Sequence, residues 1–157
     1  MGALVVIIRI IHRKLQIPGL ELEVVRENTW FADREDRKRM AIVISLNLIN
    51  RSGRAITIKS CKMSGYSPKE EPDPVILKGK EGEIVLDFPP YEHFYAGKEI
   101  QVKPYSSMKI WVYYESGVVR LSNLLHALVV IKDAGGKRRS IRVPVPRHIE
   151  QIKLIYL

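Results

Sequence analysis

At 157 residues, with 46% apolar and 27% charged residues, the chain has the size and composition of one globular domain that buries a core, which excludes a disordered polymer. Its lone cysteine, Cys61, excludes an internal disulfide framework and a cysteine zinc cluster, and fits a reducing cytoplasm. The formal charge is +9 and skewed: residues 116–157 hold eight Lys/Arg against two Asp/Glu, a net +6. A basic end of this kind attracts nucleic acid, anionic lipid or an acidic partner, or simply keeps a surface solvated.

Leu4, Ile7, Ile8, Ile11 and Leu15 recur at helical spacing, with Arg9, His12, Arg13 and Gln16 on another side of the wheel and Val5 and Val6 spoiling the polar face. Pro18-Gly19 is a helix stop. The spacing predicts an amphipathic helix over residues 3–16 with a basic side, inside an N-terminal segment 1–19; the β-branched run Val5–Ile8 keeps a strand as the alternative. The segment is shorter than the about 20 apolar residues that span a bilayer. No basic residue precedes its apolar run and no small-residue cleavage site follows, so it makes a poor signal peptide.

Residues 20–157 are expected to form the β domain. Leu20, Leu22 and Val24 alternate with Glu21 and Glu23 as one strand. Residues 28–39 read as a loop, with Trp30-Phe31 as its packing foot and DREDRKR as a solvated run of mixed sign. The clearest β signal is Met40–Cys61. Ile42, Ile44, Leu46 and Leu48 make one apolar face, and Val43, Ser45, Asn47 and Ile49 make a mixed second face that asks for partial cover. Asn50-Arg51-Ser52-Gly53 is turn chemistry, expected to exploit the tolerance of Asn and Gly for positive φ. A further strand starts at Ala55.

Pro68, Pro72 and Pro74 mark a surface loop. Short strands are expected at residues 75–77, 84–88 and 100–103, with a loop from Pro89. Residues 108–114 carry bulk on both faces, as a strand covered on both sides does. Residues 121–125 read as one helical turn. Strands 127–132 and 140–145 flank the turn Asp133-Ala134-Gly135-Gly136-Lys137, and Pro144 and Pro146 put the second at a sheet edge. Residues 149–157 read as a strand or a short helix. The predicted core is Ile42, Ile44, Leu46, Leu48, Ile56, Ile58, Ile110, Val112, Val129 and Ile131.

Eight or nine short strands with turns between them imply an all-β, two-sheet antiparallel sandwich. The strand SLNLIN with its turn RSG, the segment KPYSSMKIWVYY and the hairpin VVIKDAGGKRRSIRV resemble those of immunoglobulin-like accessory domains of prokaryotic proteins. Trp111 is present, but Cys61 has no mate, so the antibody cysteine pair is missing. The resemblance implies interaction or structural roles and no particular activity.

No phosphate loop, HxH or HExxH is present, and His12, His93, His126 and His148 are scattered. Cys61 ends an apolar strand and reads as a buried thiol. Glu70-Glu71-Asp73 sits in a Pro-interrupted loop and reads as solvated. The expectation is a non-catalytic accessory or protein-interaction domain without a cofactor. The basic hairpin residues Lys137, Arg138, Arg139, Arg142, Arg147 and His148 form a candidate patch for phosphates, which makes nucleic acid the second reading. Leu4, Ile7, Ile8, Ile11 and Leu15 form a candidate N-terminal interface. Its open covers are the sandwich's outer face, a second subunit or an anionic membrane surface, to which Arg9, Arg13 and Lys14 would be attracted. Protein packing, including self-association, is preferred over lipid, because the segment lacks Trp and makes only about four turns. The expected location is the cytoplasm, at the membrane surface if that segment binds lipid. Sparse Asn and Gln against many Lys, Arg and Glu lean towards a thermophilic source.

Overall fold

A computed structural model describes residues 2–35, 38–64, 66–117 and 122–156, with the side chains of residues 12–14 outside the description. The elements in order are α1 (Gly2–Leu15), β1 (Leu20–Val24), β2 (Trp30–Asp33), β3 (Met40–Asn50), β4 (Ile56–Met63), β5 (Val75–Gly79), β6 (Gly82–Leu86), β7 (Glu92–Phe94), β8 (Ile100–Val102), β9 (Ser106–Ser116), β10 (Leu124–Asp133), β11 (Arg138–Pro146) and α2 (Ile149–Tyr156). They form an all-β sandwich. One sheet runs β1-β3-β9-β7, with β2 also paired to β3; the other runs β11-β10-β4-β8. We call them the first and second sheets. A separate hairpin pairs β5 with β6.

The period-two pattern of β3 sets the core. Ile44 pairs with Val112 and Leu46 with Ile110 across β9. These side chains meet Ile56, Ile58, Cys61, Val129, Ile131, Val143 and Val145 from the second sheet in one buried cluster. All ten residues predicted for the core lie in that cluster. The reason is geometric: in a strand every second side chain faces the same way, so one apolar phase makes one core face.

The opposite phase of the first sheet is also apolar, and it is also covered. Trp30, Ala32, Ala41, Val43, Trp111 and Tyr113 form a second buried cluster with Val75, Leu77 and Leu86 of the β5–β6 hairpin. The second face of β3 and the two-sided bulk of β9 therefore have one explanation, a hairpin laid on the outside of the sandwich.

Several local expectations change. The segment read as a loop at residues 28–39 contains β2, paired to β3 from Trp30↔Val43 to Asp33↔Met40; Trp30 and Phe31 are buried, as a packing foot is. No helical turn forms at the described part of residues 121–125: Ser122 and Asn123 bend and Leu124 starts β10, with Leu121 outside the description. A short strand, β7, lies in the expected loop after Pro89 and runs parallel to β9. The chain ends in α2, a helix.

The Asn50 turn does not use positive φ at Asn50 or Gly53. Instead the buried Asn50 amide donates to the carbonyls of Arg54 at 2.7 Å and Val102 at 3.1 Å, while its oxygen accepts from the Ser52 N–H at 2.9 Å. One side chain thus ties the end of β3 to β8. Positive φ is needed at Gly19 (+76°), where an added Cβ would stand 2.8 Å from the Cβ of Ser52. It is needed again at Gly136 (+80°) in the last hairpin, where the Asp133 carboxylate accepts the N–H groups of Gly135 and Lys137.

Strand β11 lies at the edge of the second sheet, as its prolines require. That edge is partly closed. Gln16 bridges to Arg138, with the Ile17 N–H donating to the Arg138 carbonyl at 3.2 Å. At the far end the His148 N–H donates to the Phe31 carbonyl at 2.8 Å, joining the end of β11 to β2.

Candidate functional site

Two buried charged clusters are the obvious places to look for chemistry. In the first, the Arg34 guanidinium lies 3.1 Å from Glu115 and donates to the Tyr113 hydroxyl at 3.0 Å. It also donates to the carbonyls of Asp73 at 2.9 Å and Pro74 at 3.2 Å. Lys69 and Arg39 contact the same Glu115 carboxylate. Burial alone would raise the Glu115 carboxyl, but Lys69, Arg34 and Arg39 outweigh it and hold it below the usual carboxylate range. Burial pushes the Tyr113 hydroxyl up to about 12, against the pull of Arg34. The Glu115 carboxylate is thus held ionised by three cations and the Tyr113 phenol keeps its proton, so neither is poised for proton transfer near neutral pH. The cluster works as a staple, fixing the Pro-rich loop before β5 onto β9.

In the second cluster, the buried Arg147 donates to Asp33 at 2.8 Å, Gln151 at 2.7 Å, Asn123 at 3.0 Å and the Ser122 carbonyl at 3.2 Å. Its guanidinium lies 4.7 Å from the centre of the Phe31 ring. It joins α2, β2 and the entry to β10. Arg147 is therefore withdrawn from the predicted basic patch: its donors are used inside the protein. His148 leaves the patch too. It is half-buried, edge-on to Trp30 at 5.0 Å, and its Nδ1 accepts the Glu150 N–H at 3.2 Å. Burial lowers its pKa, which keeps it neutral.

Cys61 is fully buried, and burial pushes its thiol up to about 12, with Tyr114 opposing. The thiolate needed for nucleophilic work is therefore suppressed. His93 stacks on Trp111 at 4.0 Å, and burial, then Lys98, lowers its pKa. Among the described residues no group of three or more His, Cys, Asp or Glu is placed to hold a metal ion.

The surfaces left over are the outer face of the second sheet and α1. Alternation along β11 sends Arg138, Ser140, Arg142, Pro144 and Pro146 outward, while Arg139 shares the phase of the core residues Val143 and Val145. The predicted hairpin patch therefore splits: Lys137, Arg138 and Arg142 are exposed, and Arg139 is half-buried in the opposite phase. Register supplies two cations that the linear reading missed. Lys132 lies opposite Arg138, and Lys62 lies opposite Val130 one position further across the sheet. Leu128 and Val130 sit between them on the same face. Among the described residues no carboxylate pairs with Lys62, Lys132, Arg138 or Arg142, whereas Lys59 at the sheet's other side is held by Glu99 at 3.2 Å. The missed signal was available in principle, since Lys62 and Lys132 are in the polar phase of their strands, but only the pairing sets Lys132 beside Arg138 and Lys62 in the row of Val130 and Ser140.

Helix α1 is helical as expected, but it does not lie on the sandwich. Leu4, Val5, Val6, Ile7, Ile8, Ile10, Ile11 and Leu15 are each between 49% and 62% exposed. The predicted interface Leu4, Ile7, Ile8, Ile11 and Leu15 is thus uncovered, and Val5, Val6 and Ile10 extend it round the helix beyond one stripe. The basic positions His12, Arg13 and Lys14 have side chains outside the description. Because Gln16 bridges to Arg138, the carboxyl end of α1 meets the sandwich at the basic strand β11.

No protein-family model and no curated relative matches this chain. Solved structures with a similar course include a FixG-related protein from Vibrio parahaemolyticus, with 11% identity, a TM-score of 0.45, and 85% of this chain and 100% of that one covered. Another is the putative ApaA protein from Bordetella pertussis, with 7% identity, a TM-score of 0.40, and 83% and 94% covered.

Proposed function

We propose that the chain is a non-catalytic accessory domain of the immunoglobulin-like kind, which docks through α1 and the adjoining basic face of the second sheet. The runs β1-β3-β9 and β11-β10-β4 support the fold part of this reading, since they follow the strand orders of the two immunoglobulin sheets; the parallel pairing of β7 departs from it. The observation that carries the docking part is the exposure of eight large apolar side chains on one helix. Each contributes about 1.5–3 kcal/mol when buried relative to exposed, so a helix of this composition is stable against a cover and not in water. Buried clusters whose charges are paired inside the fold, Arg34 with Glu115 and Arg147 with Asp33, favour a structural role, although one Asp33 carboxylate oxygen has no hydrogen-bond partner among the described residues.

The test is removal of residues 2–15, which leaves the core residue Ile17 in place. Full-length protein should associate, with itself or with an added apolar surface such as detergent micelles, and the deletion should be monomeric and equally stable to urea. A full-length protein that stays monomeric and ignores apolar surfaces would remove the docking role. Nucleic acid is the competing use of the basic face, and a salt series against single- and double-stranded DNA measures it. The face offers no Phe, Tyr or Trp for base stacking, which weakens that reading.

A further inference from the structure

We infer that the surface covering α1 is an anionic phospholipid bilayer, with the helix in the acyl region and Lys62, Lys132, Arg138 and Arg142 facing the headgroups. This rests on the docking role of α1 proposed above and names its partner.

Three observations converge on lipid. The first is the shape of the apolar surface. Val5, Val6, Ile7 and Ile8 are consecutive, so at about 100° per residue they point round nearly the whole helix, and all four are exposed. A groove on a protein covers one stripe of a helix, whereas hydrocarbon covers every side. The second is length. Residues 2–11, at about 1.5 Å each, reach about 15 Å, half of the roughly 30 Å hydrocarbon layer. Arg9 is the one charge in that stretch, and its long side chain suits a position from which the guanidinium returns to the headgroups.

The third is charge complementarity. The helix joins the sandwich at Arg138, whose register partner is Lys132. Arg142 lies on the same strand and Lys62 on the next strand but one, all outward and without carboxylate partners among the described residues. A cationic sheet beside an apolar helix matches a surface that is apolar inside and anionic at its rim. A second copy of this chain is a poor match, because it would bring the same cations against one another in a protein that already carries +9.

The experiment uses the full chain and sedimentation with vesicles of phosphatidylcholine alone or mixed with phosphatidylglycerol. Its arms are the full chain, the deletion of residues 2–15, and the exposed charge reversal Lys62→Glu, Lys132→Glu, Arg138→Glu and Arg142→Glu. The expected result is binding about tenfold or more tighter to the anionic vesicles. The reversal should lose about that factor, and the deletion should bind neither vesicle. A reporter, Ile7→Trp, should shift its emission to the blue with anionic vesicles. The milder set with Gln at the four positions guards against a reversal that fails to fold. Equal binding to both vesicles, or binding untouched by the reversal and by the Gln set, overturns the headgroup role. A full chain that forms a stable oligomer and ignores vesicles, while the deletion is monomeric, overturns lipid and keeps docking. If the deletion changes neither mass nor binding, the docking role itself falls.

Discussion

The two outer faces of this sandwich are built from the same kind of strand and meet opposite fates. On the first sheet, the outward phase carries Trp30, Val43, Trp111 and Tyr113, and the chain spends its long β4-to-β9 connection laying the β5–β6 hairpin over them. On the second sheet, the outward phase carries Lys62, Lys132, Arg138 and Arg142 around Leu128, and among the described residues nothing is laid over it. The same division holds for the cations. Arg34 and Arg147 are buried and engaged within the fold, while Lys62, Lys132, Arg138 and Arg142 have no carboxylate partner among the described residues. Packing is therefore concentrated on one side, and the proposed interaction on the other. Helix α1 is the exception, an exposed apolar element whose carboxyl end meets the sandwich at Arg138 of the edge strand β11.

That contrast can be broken by substitution. Trp111→Ala removes a buried ring that stacks with Phe88 at 5.0 Å and His93 at 4.0 Å, and should cost about 3–5 kcal/mol in urea unfolding. If the hairpin is only draped over the first sheet, the cost will be under about 1 kcal/mol, as for a surface site. In the core between the sheets, Leu46→Ala should cost about 2–5 kcal/mol, since Leu46 is fully buried.

Arg34→Met should cost about 3 kcal/mol, because it leaves Glu115 buried beside fewer cations. The same variant should alter the acid limb of stability. Glu115 has a folded pKa below its unfolded value, so its contribution is present above the unfolded value and lost as the pH falls through the folded one. Arg34→Met should flatten that limb, and an unchanged limb would show that Lys69 and Arg39 hold the carboxylate without it.

A smaller step is expected at milder pH. His148 and His93 both titrate below the ordinary value of 6.5 in the folded chain, so the unfolded chain takes up protons first as the pH drops through 6.5. Stability should therefore decline as the pH falls through the unfolded value of 6.5. His148→Asn should remove part of the decline, since protonation of Nδ1 would end its acceptance of the Glu150 N–H. The smallest effect belongs to the bare face: Leu128→Ala should change unfolding by no more than about 0.5 kcal/mol. A larger cost would mean that the second sheet has a cover after all.

Periodicity alone determined which residues form the core, because a strand has only two faces and Ile42, Ile44, Leu46 and Leu48 fill one of them. Other local signals pointed to the last hairpin through its glycines and to the edge position of β11 through its prolines, while helical spacing favoured a helix before Pro18 with a strand left open by the β-branched run. What periodicity could not determine was where charges go. Arg34 sits in a run that reads as solvated, yet it is buried, because Glu115 and Tyr113 arrive from a strand about 80 residues away in sequence. Arg147 and Arg142 look alike in one basic stretch. They part because a spacing of five positions puts them in opposite strand phases, and Asp33, Asn123 and Gln151 converge only on the first. Lys62 and Lys132 join that face for the mirror reason: they are distant along the chain, and strand register sets Lys132 opposite Arg138 and Lys62 in the row of Val130 and Ser140. Side-chain periodicity is written in the order of residues, but partners for a charge are chosen by the pairing of strands, and that pairing exists only in the folded molecule.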